Sequence, residues 1–209
     1  SSAASDVYKR QAELYVSGNN SRFTSASNII VGDYGNGVVS VVDGGVVSAG
    51  SNTLVLGDTG SGSNRGALII GSRGNMDTGT GLTEPTLGEA GAAGIVDAQT
   101  AINLRGGLFG SYVYFNHTDD NYLFSNTMSG EGDVINVSGQ TTLNGDLTGL
   151  KTNVLARGGK IIIASDINTQ PETDIFDIQT LSAENGGTII LNATAGSDVS
   201  NGLGYSSAA

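Results

Sequence analysis

The residues best suited to metal or acid–base chemistry are His117 and two carboxylates that follow it, Asp119 and Asp120. The chain has one histidine and no cysteine, so imidazole chemistry rests on His117 and thiolate chemistry is excluded. One imidazole with two adjacent carboxylates lacks the three or four convergent ligands that transition metals require. We therefore expect a structural role for His117 and assign no metal site.

A second candidate is the hydroxyl of Thr59 in the string Gly57-Asp58-Thr59-Gly60-Ser61. A threonine nucleophile needs a general base, and His117 is the only histidine that could supply one. The Gly, Asp and Ser residues of this string are typical of a tight turn. We expect a corner between strands here and assign no catalytic residue.

Three further patterns carry no site. Residues 130–135, Gly-Glu-Gly-Asp-Val-Ile, are similar to half of a calcium-binding repeat, but the unit is not repeated in tandem. With 20 acidic residues, chance carboxylate pairs of the kind that cleave polysaccharides are inevitable. The Asn-x-Ser/Thr triplets at Asn116, Asn136 and Asn192 are expected in stacked turns and not as glycosylation sites. No cofactor is implied.

Composition and charge narrow the function classes. The 209 residues include 33 Gly but only 2 Pro, and 14% are charged, which is typical of a folded, turn-rich chain and not of a disordered one. The net charge of −11 would repel a phosphate backbone, so nucleic acid is an improbable partner. No apolar run approaches the ~20 residues that cross a bilayer, and no signal peptide opens the chain. We expect no membrane insertion by this segment, and if the protein is exported, its export signal lies outside the segment.

Short apolar runs set the predicted architecture. From Leu14 onward, runs rich in Val, Ile, Leu and Thr are bounded by Gly, Asn, Asp or Ser, which predicts brief strands and tight turns. A Gly-Gly pair precedes such a run at Gly44, Gly158 and Gly186. Strands of about three to five residues are unstable as free hairpins but stable when stacked on equivalent strands above and below. The pattern predicts an all-β solenoid whose corners need positive φ.

The domain prediction is a single unit over residues 12–205. Residues 1–11 and 206–209 share the sequence Ser-Ser-Ala-Ala, and we interpret them as a non-native adaptor-like segment and tail. Residues 74–94 are polar, rich in Gly and contain Pro85, which predicts a loop protruding from the solenoid. A second loop is predicted at residues 169–173, because Pro171 is incompatible with a central strand position.

Two blocks of motifs carry a family resemblance. Residues 35–71 follow the order Gly-x-Gly, β run, Gly-Gly, β run, β run-Gly. Residues 93–145 begin with Ala-Gly-Ile-Val and contain Phe-Asn-His-Thr-Asp, Ser-Gly-x-Gly and Gly-x-Thr-Thr-Leu-x-Gly in that order. In both, the chain resembles the passenger domains of autotransporters. The resemblance implies a right-handed parallel β-helix, exported through an outer-membrane barrel that is encoded further downstream in the parent.

The same resemblance implies an extracellular structural or adhesive segment of a Gram-negative virulence-associated surface protein, and not an enzyme. Its expected partners are host or bacterial cell surfaces, matrix or glycans, with adhesion or cell-to-cell aggregation as the outcome. Self-association is a further expectation, because exposed strand edges tend to pair with other chains. The string at residues 57–61 resembles the GDSGS of serine-protease autotransporters, with Thr59 at the nucleophile position.

An alternative remains open from the residues. The chain could be a β-helix carbohydrate-active enzyme, a polysaccharide lyase or hydrolase. That function requires a groove in which three or more Asp, Lys, Arg or His side chains from successive turns of the helix converge.

Overall fold

The computed structural model describes residues 10–33, 35–57, 64–76, 84–105, 110–147, 149–164 and 177–192. In these ranges the protein is all-β, with strands joined by turns and no helix. Consequently none of the described residues forms a helix long and apolar enough to cross a membrane.

The described strands are mostly short, as the apolar runs predict. In chain order they are β1 (Arg10–Ser17), β2 (Arg22–Thr24), β3 (Ile29–Val31), β4 (Gly35–Val42), β5 (Val46–Ser48), β6 (Thr53–Leu56), β7 (Gly66–Ile70), β8 (Gly74–Asn75), β9 (Thr86–Leu87), β10 (Ile95–Val96), β11 (Ala101–Arg105), β12 (Tyr112–Asn116), β13 (Tyr122–Phe124), β14 (Met128–Ser138), β15 (Gln140–Leu143), β16 (Leu150–Arg157), β17 (Lys160–Ile163), β18 (Asp177–Glu184) and β19 (Thr188–Leu191).

Apart from β8 and β9, the strands pair in parallel with strands that lie two to five elements away in the chain, as when β1 pairs with β4, β2 with β5 and β12 with β14. The pairing generates three ladders of stacked strands. Ladder A contains β1, β4, β7, β12, the second half of β14, β16 and β18. The name ladder B covers two sheets that are not paired with each other, one of β2, β5 and β10 and one of β13, β15, β17 and β19. Ladder C contains β3, β6, β11 and the first half of β14.

The long strand β14 joins two ladders. Its first residues, Met128 to Glu131, pair with β11, and its later residues from Asp133 pair with β12. Within the first group Gly130 has a φ of 90°, a backbone conformation that side-chain-bearing residues rarely adopt. Ladders A and C therefore belong to one ten-stranded sheet.

The main core lies between the three ladders. The register of ladder A aligns one inward-pointing apolar residue of each strand with the equivalent residue of the neighbouring strand. Similar side chains therefore fill the interior. Ladder B contributes Phe124, Leu143 and Ile163, and ladder C contributes Leu54 and Ile102. The stacked ladder A residues of this core are Leu14, Val39, Leu68, Val113, Val134, Val154 and Leu181.

The Gly-Gly pairs occupy one structural position, the corner between ladders A and B. The first glycine of each pair has positive φ, 74° at Gly44, 118° at Gly158 and 83° at Gly186. The second glycine packs against the preceding strand of ladder A: a Cβ on Gly45 would lie 2.6 Å from the Val16 carbonyl oxygen. The expectation that these corners need positive φ is confirmed, and the second glycine is needed for space.

The segment predicted as a protruding loop lies against the sheet where it is described. β8 pairs antiparallel with β9, Gly91 forms a parallel bridge to His117, and Ala93 forms an antiparallel bridge to Val42. Residues 1–9, 169–173 and 206–209 lie outside the described ranges, whereas Arg10 and Gln11 extend β1.

Replacing Leu68 by Ala tests which face of ladder A is internal. Leu68 is fully buried, so the change should lower the free energy of unfolding by about 2–5 kcal/mol. The matched control is Leu123→Ala on the outside of ladder B, where 55% of the side chain is exposed and a change within about 0.5 kcal/mol is expected. Urea unfolding of both variants measures the difference, and equal losses would contradict the assignment of inner and outer faces.

Candidate functional site

His117 lies directly after β12 and is fully buried. Its Nε2 is 2.8 Å from Thr141 Oγ1, and its Nδ1 accepts a hydrogen bond from the Asp119 backbone N–H at 3.2 Å. The Asp119 carboxylate accepts from the Ala93 N–H instead, while Asp120 is exposed. Among the described residues no three His, Asp or Glu side chains are grouped so as to hold a metal. The ring therefore packs the corner and does not converge with the carboxylates.

The hydrogen bonds of His117 determine which ring nitrogen carries the hydrogen. Because Nδ1 is an acceptor, the neutral ring carries its hydrogen on Nε2 and donates it to Thr141. Burial lowers the pKa of His117, and Asp119 only partly offsets this effect. The ring is thus held neutral inside the corner.

Thr141 extends this network to Asn136. Asn136 Nδ2 lies 3.1 Å from Thr141 Oγ1. Among the described residues, Asn136 Oδ1 is the one buried side-chain nitrogen or oxygen without a hydrogen-bond partner. Since Thr141 already accepts from His117, its own hydroxyl hydrogen needs an acceptor. Rotating the amide by 180° supplies one in Asn136 Oδ1, and the two orientations have the same shape. The hydrogen count favours the relay His117 to Thr141 to Asn136.

Other candidates from the sequence are structural where they are described. Gly57 ends β6 with a φ of 87°, and residues 58–61, including Thr59, lie outside the described ranges. Residues 130–135 form part of β14 and not a calcium-binding turn. Asn116 and Asn136 are buried, and Asn116 donates to Ser72 Oγ and to the Gly88 carbonyl, both at 3.0 Å. Their amides are thus inaccessible to a glycosylating enzyme in the folded protein.

Charged and aromatic side chains are grouped on the outer face of ladder A. Adjacent residues of a strand point to opposite faces, so Val38, Ile69, Tyr114 and Ile135 lie outside the main core. They are nevertheless buried, because they belong to a second apolar cluster that includes Met76 and Leu87. Residues 73–76 and 84–88, here called the strap segments, supply these covering side chains.

A polar group, here called the clamp cluster, lies at one end of the strap segments. Tyr114 donates to Glu84 Oε2 at 2.8 Å, and Arg157 donates to both Glu84 oxygens, with Nη2 2.9 Å from Oε1. Asn153 donates to Asp133 Oδ1 at 2.7 Å. These residues, Glu84, Tyr114, Asp133, Asn153 and Arg157, come from the strap segments, β12, β14 and β16.

The environments of the two clamp-cluster carboxylates differ. The hydrogen bonds from Arg157, and to a smaller extent from Tyr114, hold the pKa of Glu84 below its usual value. Burial raises the pKa of Asp133, against the effect of the Asn153 hydrogen bond. Two carboxylates with oppositely shifted pKa values are a known arrangement for an acid–base pair. Here Glu84 is also ion-paired with Arg157 and accepts a hydrogen bond from the buried Tyr114, so it fastens the strap segments to ladder A.

The sequence analysis does not predict the clamp cluster, although two strands carry a signal that a segment covers them. The runs at Gly66–Ile70 and Tyr112–Asn116 are buried at every position. A strand that is apolar on both faces must be covered on both faces. That pattern implies a covering segment outside ladder A, but does not identify which residues provide it.

A depression of about 510 Å³ lies at the first strands of ladders A and B, lined by residues including Leu14, Tyr15, Arg22 and Phe23. Arg22 is directed to Asp97, with 3.3 Å between Nη2 and Oδ2. The depression brings no group of polar side chains to one point, so it supports no catalytic function.

Replacing Glu84 by Gln tests the ion pair at the clamp cluster. A carboxylate with a lowered pKa stabilises the fold above its unfolded pKa of about 4.5, and this contribution is lost as pH falls through the folded value. Because the side chain is 41% exposed, we expect a loss of about 0.5–1 kcal/mol at pH 7, shrinking towards zero below pH ~4. Urea unfolding from pH 3 to 7 measures it, with Glu89→Gln, an exposed carboxylate, as control. A difference that is constant across this pH range would contradict the ion-pair explanation.

The neutral state of His117 has a separate pH signature. The histidine of the unfolded chain is protonated as the pH falls below about 6.5, whereas burial lowers the pKa of His117 in the folded protein, so its protonation there requires a lower pH. The free energy of unfolding should therefore fall below pH ~6.5, by up to about 1.4 kcal/mol per pH unit. Unfolding curves of the wild type and His117→Gln measure this slope, which the variant should lack. Nitrogen NMR of the folded protein should report a hydrogen on Nε2; titration of the ring near pH 6.5 would contradict its burial.

Comparison with known proteins identifies no relative: no family model, no curated protein and no solved structure matches the chain.

Proposed function

We propose that the chain is a right-handed parallel β-helix, the secreted passenger segment of a Gram-negative autotransporter, and that it acts outside the cell as a structural and adhesive module. The observation that carries the proposal is the stacking of three parallel ladders around one apolar core. Crossovers between parallel strands of one sheet are right-handed in almost all proteins, which supports the handedness. The resemblance of residues 35–71 and 93–145 to passenger repeats supports the family and the location.

The outer face of ladder B is the proposed contact surface. Register places Leu123, Thr142, Ile162 and Ile190 in one row across β13, β15, β17 and β19. Leu123 is 55% exposed and Ile190 36%, whereas the residues on either side of Leu123 point inward. The row presents an apolar stripe that no described segment covers as the strap segments cover ladder A.

Polar side chains flank this stripe. Gln140 Nε2 donates to Asn121 Oδ1 at 3.1 Å, and Ser125 Oγ donates to Asn144 Oδ1 at 2.7 Å. Such repeated rows can contact a surface weakly at many points, so that binding strength comes from multivalency and not from one pocket. Host or bacterial surfaces, matrix and glycans are the proposed partners, and the same row allows copies of the chain to contact each other.

A display experiment tests the adhesive function. Bacteria that display the segment should clump or bind host matrix, and Leu123→Asn should weaken this several-fold without unfolding the segment, since the side chain is largely exposed. Ile30→Asn is the matched control, because Ile30 is 51% exposed but lies on ladder C. Surface antibody labelling ensures equal display. Equal clumping by both variants and the parent would contradict a contact surface on ladder B.

One observation favours the enzymatic alternative. Glu84 of the strap segments, Asp133 of β14 and Arg157 of β16 lie on the outer face of ladder A, and a β-helix polysaccharide lyase or hydrolase requires such a group of charged side chains. A glycan depolymerisation screen with the purified chain separates the two functions. Turnover that disappears in Asp133→Asn and Glu84→Gln would establish the enzyme, and no turnover on any glycan is expected for the adhesive module.

A further inference from the structure

The strap segments are fastened to the first strand of ladder A. Arg73 Nε and Nη2 donate to the two carboxylate oxygens of Glu13 on β1, at 2.6 and 2.9 Å. Its guanidinium also lies over the ring of Tyr15, 5.3 Å from the centroid. One residue later, the Gly74 N–H donates to Ser40 Oγ on β4 at 3.0 Å. One end of the strap segments therefore contacts the first two strands of ladder A.

The other end reaches strands much further along the ladder. Glu84 binds Arg157 on β16 and Tyr114 on β12 through the clamp cluster. The Gly88 carbonyl accepts from Asn116 at the end of β12, at 3.0 Å. Glu13 lies on β1 and Arg157 lies on β16. Four strands of ladder A lie between them, namely β4, β7, β12 and β14.

Apolar packing connects the two ends. Met76 is almost fully buried in the second apolar cluster, together with Val38 of β4, Ile69 of β7 and Ile135 of β14. Gly74 lies so close to Ile69 that a Cβ would overlap the Ile69 Cδ1 atom. The strap segments thus contribute to one continuous cluster that spans the middle strands of ladder A.

Stacked repeats usually contact only their neighbours, so such a protein can unfold from one end, losing one interface at a time. Here a single piece of chain is bonded to the first, second, fourth and sixth strands of ladder A. Unfolding of β1 alone breaks the Arg73–Glu13 pair, and unfolding of β16 alone breaks the Arg157–Glu84 pair, so each loosens the cover over the strands between. We propose that the strap segments brace ladder A, and that they make its strands from β1 to β16 unfold as one cooperative unit.

Hydrogen exchange in increasing urea, read by mass spectrometry, tests the brace strand by strand. The wild type should show the same unfolding midpoint for β1, β12 and β16. In the double variant Met76→Ala, Glu84→Gln the midpoints should separate, with β1 and β16 exchanging at lower urea than β12 and at least about ten-fold faster at low urea. Leu143→Ala is the control, because it removes a buried side chain of similar size from the main core, away from the strap segments. It should lower all three midpoints together.

Three results would overturn the proposal. The first is separate midpoints for β1, β12 and β16 already in the wild type, which would mean that no coupling exists. The second is coincident midpoints in the double variant, which would mean that the coupling does not pass through the strap segments. The third is an equal separation in Leu143→Ala, which would show that any loss of stability uncouples the strands. Glu84→Gln alone, which keeps the apolar packing, provides a milder variant should the double variant fail to fold, and β16 should separate from β12 in it.

Discussion

The fold depends on backbone hydrogen bonds between strands that are distant in sequence. β5 has three residues, and its pairing partners are β2 before it and β10 after it. A strand of this length is unstable by itself or in a hairpin, so it is ordered only when both neighbours are ordered. The apolar residues stacked inside the ladders supply the free energy for this collective order, since burial removes them from water on every strand at once. The stability of one strand therefore depends on the strands stacked on either side of it.

The corners between ladders add a second requirement, because backbone groups that leave the ladders still need hydrogen-bond partners. At the corner between ladders B and C the side chain of Asn126 meets it by donating to the carbonyls of Asp97 and Thr100, at 2.8 and 2.9 Å.

The sequence predicts what is local in this fold. Short apolar runs locate most strands of the ladders, and the Gly-Gly pairs at Gly44, Gly158 and Gly186 mark a real, recurring corner. These successes share a cause, because the conformational preference of a few neighbouring residues determines each of them.

The layer outside ladder A could not be predicted in the same way. Glu84 meets Arg157 73 positions later, and Arg73 meets Glu13 60 positions earlier, so no short window of sequence contains both partners. The polar composition of residues 74–94 suggested exposure, yet Met76 and Pro85 are buried there. A few apolar residues in a polar segment are enough to hold it against an apolar face, provided that charged residues at its ends find partners.

The two outer faces of the stack therefore have different chemistry for a physical reason. An apolar outer face is costly in water, and on ladder A the strap segments cover it, with Tyr114 and Ile135 buried beneath. On ladder B the corresponding row is interrupted by a polar residue, since Thr142 lies between Leu123 and Ile162. This row therefore tolerates contact with water without a covering segment. A stack whose faces were all like ladder A would need covering on every side, and one whose faces were all like ladder B would have nothing to couple distant strands. The combination leaves the outer face of ladder A covered and that of ladder B exposed.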